Sequence, residues 1–234
     1  MARALVVQHV DVDAPALVAT SLQRAGVELV VHRTDHAGDP PTIDGVDALV
    51  VMGGPQSAAS DDHFPTRRAE LALIADAVAR QLPVLGVCLG AQLMAEALGG
   101  RAFRGDRGLE VGWHEVALTA AAAHDPLFAG VPHAFTPLHW HGDTFELPAD
   151  AVLLASSERY PNQAFRVGDR AWGLQFHVEA DEPLVAAFLA EWPHQADDPD
   201  SIAAEAPARL GALAPVTDAV LGGFAALVGS PTCR

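Results

Sequence analysis

Leu82-Pro83-Val84-Leu85-Gly86-Val87-Cys88-Leu89-Gly90-Ala91-Gln92 is the stretch on which the reading of this chain turns. An apolar run of strand type, 84–87, meets a run of helical type, 89–98, and a cysteine stands at the junction. A nucleophile on a sharp strand-to-helix turn needs small residues two before and two after it, and Gly86-x-Cys88-x-Gly90 has that spacing. Cys88 would then sit at a helix N-terminus, where the dipole favours thiolate over thiol. A free cysteine is more often a small buried hydrophobe; a glycine on each side, at a strand–helix joint, favours the reactive reading.

A reactive cysteine needs a base. Far down the chain, Trp172-Gly173-Leu174-Gln175-Phe176-His177-Val178-Glu179 is again apolar and strand-like. Strand side chains alternate, which puts His177 and Glu179 on one face and Phe176 and Val178 on the other. A carboxylate beside an imidazole fixes its tautomer and stabilises the imidazolium. Alone, His-x-Glu in a strand reads as a solvated rim. With the elbow it completes a set of nucleophile, base and orienter.

These residues resemble the class I (triad) glutamine amidotransferases. The marks are Gly86-Val87-Cys88-Leu89-Gly90-Ala91-Gln92, the distal His177-Val178-Glu179, Met52-Gly53-Gly54-Pro55, similar to the family's oxyanion loop, and Trp140-His141-Gly142-Asp143, similar to its Ser-His-Gly-Asp segment. They occur in register from about residue 3 to 189, and the likeness is greatest to the amidotransferase domain of GMP synthase. Val178 departs from the family, which usually has proline there. The resemblance implies a flavodoxin-like, doubly wound, mostly parallel sheet. It implies Cys88, His177 and Glu179 as the triad, and a glutamine pocket made by Gly53, Gln92, His141, Gly142 and Asp143. The segment 108–113 is similar to a Glu-x-Gly segment that lines the pocket, although Glu110 also reads as a structural salt-bridge partner.

Composition agrees. The chain has 234 residues, half of them hydrophobic, enough for one large domain or a domain with an appendage. We expect an amidotransferase domain over 1–190 and a helical extension over 191–234 packed on it. No apolar run reaches the ~20 residues of a membrane span, and the N-terminus lacks the form of a signal peptide. The two cysteines, Cys88 and Cys233, make no disulfide framework, which fits a reducing cytoplasm; Cys233 reads as exposed and incidental. Fourteen basic residues, all arginine, stand against thirty acidic ones, for a net charge of −16. Without lysine there is no Walker-type phosphate loop and no Schiff base, and so acidic a chain disfavours nucleic acid.

Along the chain, strands at 4–7, 28–31 and 47–52 alternate with a helix at 15–24, and the 35–44 stretch reads as a loop. A helix spans 65–80. Fully apolar strands in this pattern argue a parallel sheet covered on both faces, with ligands beyond the strand C-termini. Cys88 and Gly53-Gly54-Pro55 both fall at such ends. After Gly99-Gly100, short strands at 110–118, 134–140, 151–156, 163–167 and 171–178 read as a partly antiparallel extension. The tail from 183 is helical, with one or two terminal helices over 210–228.

The chemistry follows. On this resemblance a Cys88 thiolate would attack the γ-carbonyl of glutamine, and the N–H groups of Gly54 and Leu89 are the candidate oxyanion donors. His177 protonates the leaving ammonia, then activates water against the thioester. Gln92 lies four residues after Cys88, on the same helix face. His139-Trp140-His141-x-Asp143 also looks like metal ligands, but no third strong ligand is evident nearby, and no metal or cofactor is expected. Three classes remain: a glutaminase module delivering ammonia to a separate synthetase, a stand-alone hydrolase of γ-glutamyl amides, and a non-catalytic binding module. The first is expected to be weak alone, with the glycine-rich Gly53-Gly54 loop as its movable part.

Overall fold

A computed structural model describes residues 1–229; the expectation for Cys233 lies outside the described residues. In chain order the strands are β1 (Arg3–Gln8), β2 (Glu28–Arg33), β3 (Ala48–Val51), β4 (Val84–Val87), β5 (Arg101–Arg104), β6 (Glu110–Trp113) and β7 (Val116–Leu118). There follow β8 (Ala134–Phe135), β9 (Leu138–His141), β10 (Asp143–Glu146), β11 (Ala151–Ser157), β12 (Ala164–Val167) and β13 (Ala171–Leu174). The helices are α1 (Ala16–Arg24), α2 (Thr34–Ala37), α3 (Arg67–Ala79), α4 (Leu89–Ala97), α5 (Glu182–Glu191) and α6 (Pro199–Gly229).

Nine strands form one sheet in the order β2-β1-β3-β4-β13-β12-β11-β7-β8. Neighbours from β2 to β13 are parallel, and from β13 to β8 antiparallel. The parallel half is doubly wound. Ala4, Val6, Val50, Leu85 and Val87 face one core with Val18 and Leu22 of α1 and Val220 and Phe224 of α6. The alternate residues Leu5, Val7, Leu49, Val51 and Val84 face a second core with Ile74 of α3 and Leu93 and Met94 of α4. Two-sided burial is why these strands read as unbroken apolar runs.

The second half differs from the sequence expectation in detail. The stretch at 110–118 is two strands, and that at 134–140 is also two. β5 with β10, and β6 with β9, leave the main sheet as separate antiparallel ladders. The loop expected at 35–44 begins with the single turn α2. The tail carries one long helix, α6, whose buried residues Leu213, Val216, Thr217, Val220, Leu221, Phe224 and Val228 recur at helical spacing. By length and mean hydropathy (1.6) α6 would pass for a membrane span, which the run-length reading missed. Its apolar face packs into the sheet's core, and Asp218 stands exposed on the other.

The winding reverses between β1 and β3, so the loops that follow these strands part on opposite sides of a crevice. This is where ligands bind in such sheets. The loop after β1 carries His9 and Asp13, the loop after β3 carries Gly53 and Gly54, and Cys88 follows β4 beside them.

Candidate active site

β4 ends at Val87, and Cys88 takes φ +50°, ψ −107°, a conformation costly for an L-residue and found where surrounding structure imposes it. Its N–H donates to the Leu174 carbonyl at 2.7 Å, and its own carbonyl accepts from Ala91 and Gln92 at 3.0 and 3.1 Å. The helix therefore starts directly behind the sulfur. A Cβ at position 90 would collide with the Val51 carbonyl, and one at 86 would come within 2.5 Å of the Gly90 oxygen. Only glycine fits either place, which is the physical content of the Gly-x-Cys-x-Gly frame.

β13 stops at Leu174, so His177 and Glu179 do not lie on a continuing strand, contrary to the expectation from strand alternation. The chain bends away from the sheet, and His177 is held by one bridge to β9, its N–H donating to the Leu138 carbonyl at 2.8 Å. The turn still presents both side chains to each other: His177 Nδ1 lies 2.7 Å from Glu179 Oε1. Val178 points into the core. The segment is clasped from both sides, by the Leu17 N–H on the Glu179 carbonyl (3.1 Å) and the Thr217 hydroxyl on the Val178 carbonyl (2.8 Å).

Burial disfavours a charged His177, but the Glu179 carboxylate and the Cys88 sulfur outweigh it and raise the ring's pKa well above the ordinary value. With Nδ1 taken by Glu179, Nε2 is the nitrogen left for Cys88. An imidazolium here is the natural partner of a thiolate. Cys88 as a residue is 6% exposed, and its sulfur stands 3.8 Å from the Trp140 carbonyl oxygen.

Cys88 and His177 line one cleft of about 320 Å³, together with Gly54, Gln92, His141, Gly142 and Asp143. Gln92 is nearly buried, and its amide nitrogen reaches the Asp143 carbonyl and Gln175 Oε1, each at 3.2 Å. Asp143 accepts from the Ser57 hydroxyl at 2.6 Å and pairs with Arg104 at 3.3 Å. Leu89 is the first residue of α4, where an N–H has no intrahelical acceptor. Gly53 does not line the cleft: its carbonyl turns inward to accept from His9 Nδ1 at 2.8 Å. His9 Nε2 lies 2.8 Å from Glu70 Oε2, and the Thr66 hydroxyl donates to Glu70 Oε1 at 2.6 Å.

Glu110 is not in the pocket wall but behind it. In the β6–β9 ladder it stands opposite His141, with Oε2 3.0 Å from His141 Nε2, and it accepts from Ser157 and Gln163. Burial opposes its ionisation, but His139, His141 and Ser157 hold its carboxyl well below the usual range. Glu110 also supplies the third ligand that the sequence around His139 and His141 lacked: the three could hold a metal ion, their ligand atoms lying within 4.8 Å of one another. Asp13, His177 and Glu179 form a second such group.

Sequence reasoning missed several residues of this region. Asp13 lines the cleft and is 2% exposed; burial pushes its pKa up to about 6 against the opposing pull of His177. Phe188, Trp192 and Gln195 wall the cleft from the segment after Glu179, and Arg104 flanks its mouth. His9 and Glu70 are fully buried beneath Gly53. A charged or polar residue directly after an apolar strand was the available signal for His9 and Asp13, since strand C-terminal ends are where such sheets bind ligands.

Residues 10–184 match the family model "Glutamine amidotransferase class-I". Over 159 residues the chain is 39% identical to the glutamine amidotransferase-like protein YfeJ of Salmonella typhimurium, covering 66% of each chain. It is 34% identical to GMP synthase [glutamine-hydrolyzing] of Porphyromonas gingivalis over 60% of its own length. It is 28% identical to gamma-glutamyl peptidase 5 of Arabidopsis thaliana over 64%. The matched part spans 26% of that synthase and 61% of that peptidase. A glutamine amidotransferase from Thermotoga maritima superimposes with a TM-score of 0.86 at 26% identity, covering 98% of this chain and 99% of the other. The chain belongs to the class I glutamine amidotransferase family.

Proposed function

We propose that the protein is a glutamine amidotransferase-type amidohydrolase that cleaves the γ-amide of glutamine. Cys88 Sγ bonds to the γ-carbonyl carbon, and its charge passes to the oxygen, which the N–H groups of Gly54 and Leu89 receive. The C–N bond breaks as His177 gives its proton to the nitrogen, and ammonia leaves. His177 then takes a proton from water as the water oxygen attacks the thioester, and glutamate departs with Cys88 restored. Glu179 orients His177 throughout. Gln92, His141, Gly142 and Asp143 grip the amino-acid end of the substrate. The observation that carries this reading is the strained Cys88 elbow opening into the same cleft as His177, whose ring is paired behind it with the buried Glu179.

In this reading the released ammonia passes to an acceptor on a synthetase, which the likeness to GMP synthase [glutamine-hydrolyzing], 34% identical over 60% of this chain, supports. A second reading is favoured by one feature of the cleft: Phe188 packs edge-on to His177 with ring centroids 5.1 Å apart, and Trp192 continues the wall. The leaving nitrogen comes to His177, so an amine larger than ammonia would lie against these rings. That points to hydrolysis of γ-glutamyl amides or peptides. The test is common to both: a glutamine-like chloroketone labels Cys88 stoichiometrically, and Cys88→Ser loses labelling and amide cleavage while staying folded. Labelling of Cys233 instead would sink the assignment.

A further inference from the structure

We propose that the oxyanion hole of this protein is set by its own buried His9–Glu70 pair, so that amide hydrolysis needs no partner to organise the site. This rests on the hydrolytic reading above and names how that site is regulated: it is not held in reserve.

A glycine-rich loop such as Gly53-Gly54 lets its peptide rotate at little cost, which is the expected means of keeping an ammonia-releasing site idle. Here that rotation is opposed. The Gly53 carbonyl can only accept, so His9 Nδ1 carries the proton of their 2.8 Å hydrogen bond. A peptide unit is planar and trans, and its N–H points opposite to its C=O. With the Gly53 oxygen pinned inward on His9, the Gly54 N–H is turned away from His9, on the side of the cleft that Gly54 lines with Cys88. Rotating the peptide would break a bond to a fully buried imidazole and leave its donor unpaired.

The clasp is itself held. His9 Nε2 stands 2.8 Å from Glu70 Oε2 of α3, and Thr66 donates to the other carboxylate oxygen. The ring meets Phe64 edge-on at 5.7 Å between centroids. Both ring nitrogens are hydrogen-bonded, and against the lowering effect of burial Glu70 raises the ring's pKa, so the pair leaves no polar atom of its own unused. A hydrogen bond from a ring itself bonded to Glu70 also polarises the Gly53–Gly54 peptide and makes the Gly54 N–H a better donor to a developing oxyanion. Neither His9 nor Glu70 lines the cleft; they are positioning residues.

The experiment uses the full chain, alone, with glutamine and a γ-glutamyl amide as substrates. Replacing the pair by apolar residues of similar size, His9→Phe with Glu70→Leu, leaves no buried charge unpaired and removes only the hydrogen bonds to the Gly53 carbonyl and the Thr66 hydroxyl. Wild type is expected to turn over without any added protein. The double variant should lose about 10–100-fold in kcat with KM within about threefold, the signature of a lost oxyanion donor rather than of a damaged pocket. Glu70→Gln keeps an acceptor for His9 and should lose less. Wild-type kcat in the double variant overturns the proposal. So does a wild type that is labelled at Cys88 yet turns over only when a synthetase is added. Should the double variant not fold, unchanged kcat in Glu70→Gln overturns it equally. Failure of the hydrolytic reading looks different: neither labelling nor turnover in wild type under any condition.

Discussion

The Nδ1 of His177 stands 2.7 Å from Oε1 of Glu179, and both side chains are buried, with only the His177 ring bordering the cleft. A hydrogen bond of that length between a buried ring and a buried carboxylate makes the ring more basic and fixes its orientation at once. It also separates the two residues' roles, because Glu179 does not line the cleft and His177 does.

Replacing His177 by Ala should therefore cost about 10²–10⁴-fold in turnover, the usual worth of a general acid–base. Glu179→Gln should cost less and leave substrate binding nearly unchanged. It also changes the pH profile. Glu179 raises the His177 pKa against the lowering effect of burial, so without the carboxylate the ring loses its proton at lower pH. The alkaline limb of kcat/KM should move towards acid in the variant. An unmoved alkaline limb, or equal and complete loss for both substitutions in folded protein, would refute this division of labour.

The legible part of the site was its local part. Gly86, Cys88 and Gly90 lie within five residues, and the steric demands of the elbow act over that distance. The His177–Glu179 pair was found for a reason that did not hold: β13 ends at Leu174, and a turn held by Leu17, Leu138 and Thr217 does what strand alternation was expected to do. Nothing in the local pattern of 175–179 encodes those three contacts, which come from α1, β9 and α6. The same limit hid the β5–β10 and β6–β9 ladders and the pairing of Glu110 with His141. It hid His9 and Glu70 as well, 61 residues apart and joined by one hydrogen bond. Buried polar pairs of this kind leave no periodicity, whereas the apolar runs of β1, β3 and β4 announced a sheet with two covered faces.

Asp13 gives a stability test. Burial raises its carboxyl from 3.8 to about 6 in the folded protein, so between those values the native state holds a proton that the unfolded chain has released. Stability must then fall as pH rises through that window, the reverse of a paired carboxylate. A shift of about two pK units corresponds to at most about 3 kcal/mol at neutral pH. Asp13→Asn removes the titration: it should be more stable than wild type at pH 7.5, by about 1–3 kcal/mol, and no more stable near pH 4. Denaturant midpoints of both proteins at the two pH values decide the matter. A difference that does not change with pH would show that Asp13 is ionised at no cost, held by His177.

The last test concerns the leaving group. In the proposed mechanism the amine released from a γ-glutamyl amide departs beside His177, since that ring would supply its proton. Phe188 lies edge-on to His177, Trp192 packs on Phe188 at 5.2 Å between centroids, and Trp140 donates through Nε1 to Gln195 Oε1 at 3.0 Å. Ammonia is too small to touch this wall, whereas an aromatic or apolar amine would gain from stacking on it, about 0.5–1.5 kcal/mol per ring pair beyond the area buried. Trp192→Ala should accordingly lower kcat/KM for a γ-glutamyl anilide about tenfold and leave that for glutamine within about twofold. A wild type that strongly prefers glutamine, together with equal losses for both substrates in the variant, would mean that the wall only supports the fold and that ammonia is what the site is built to release.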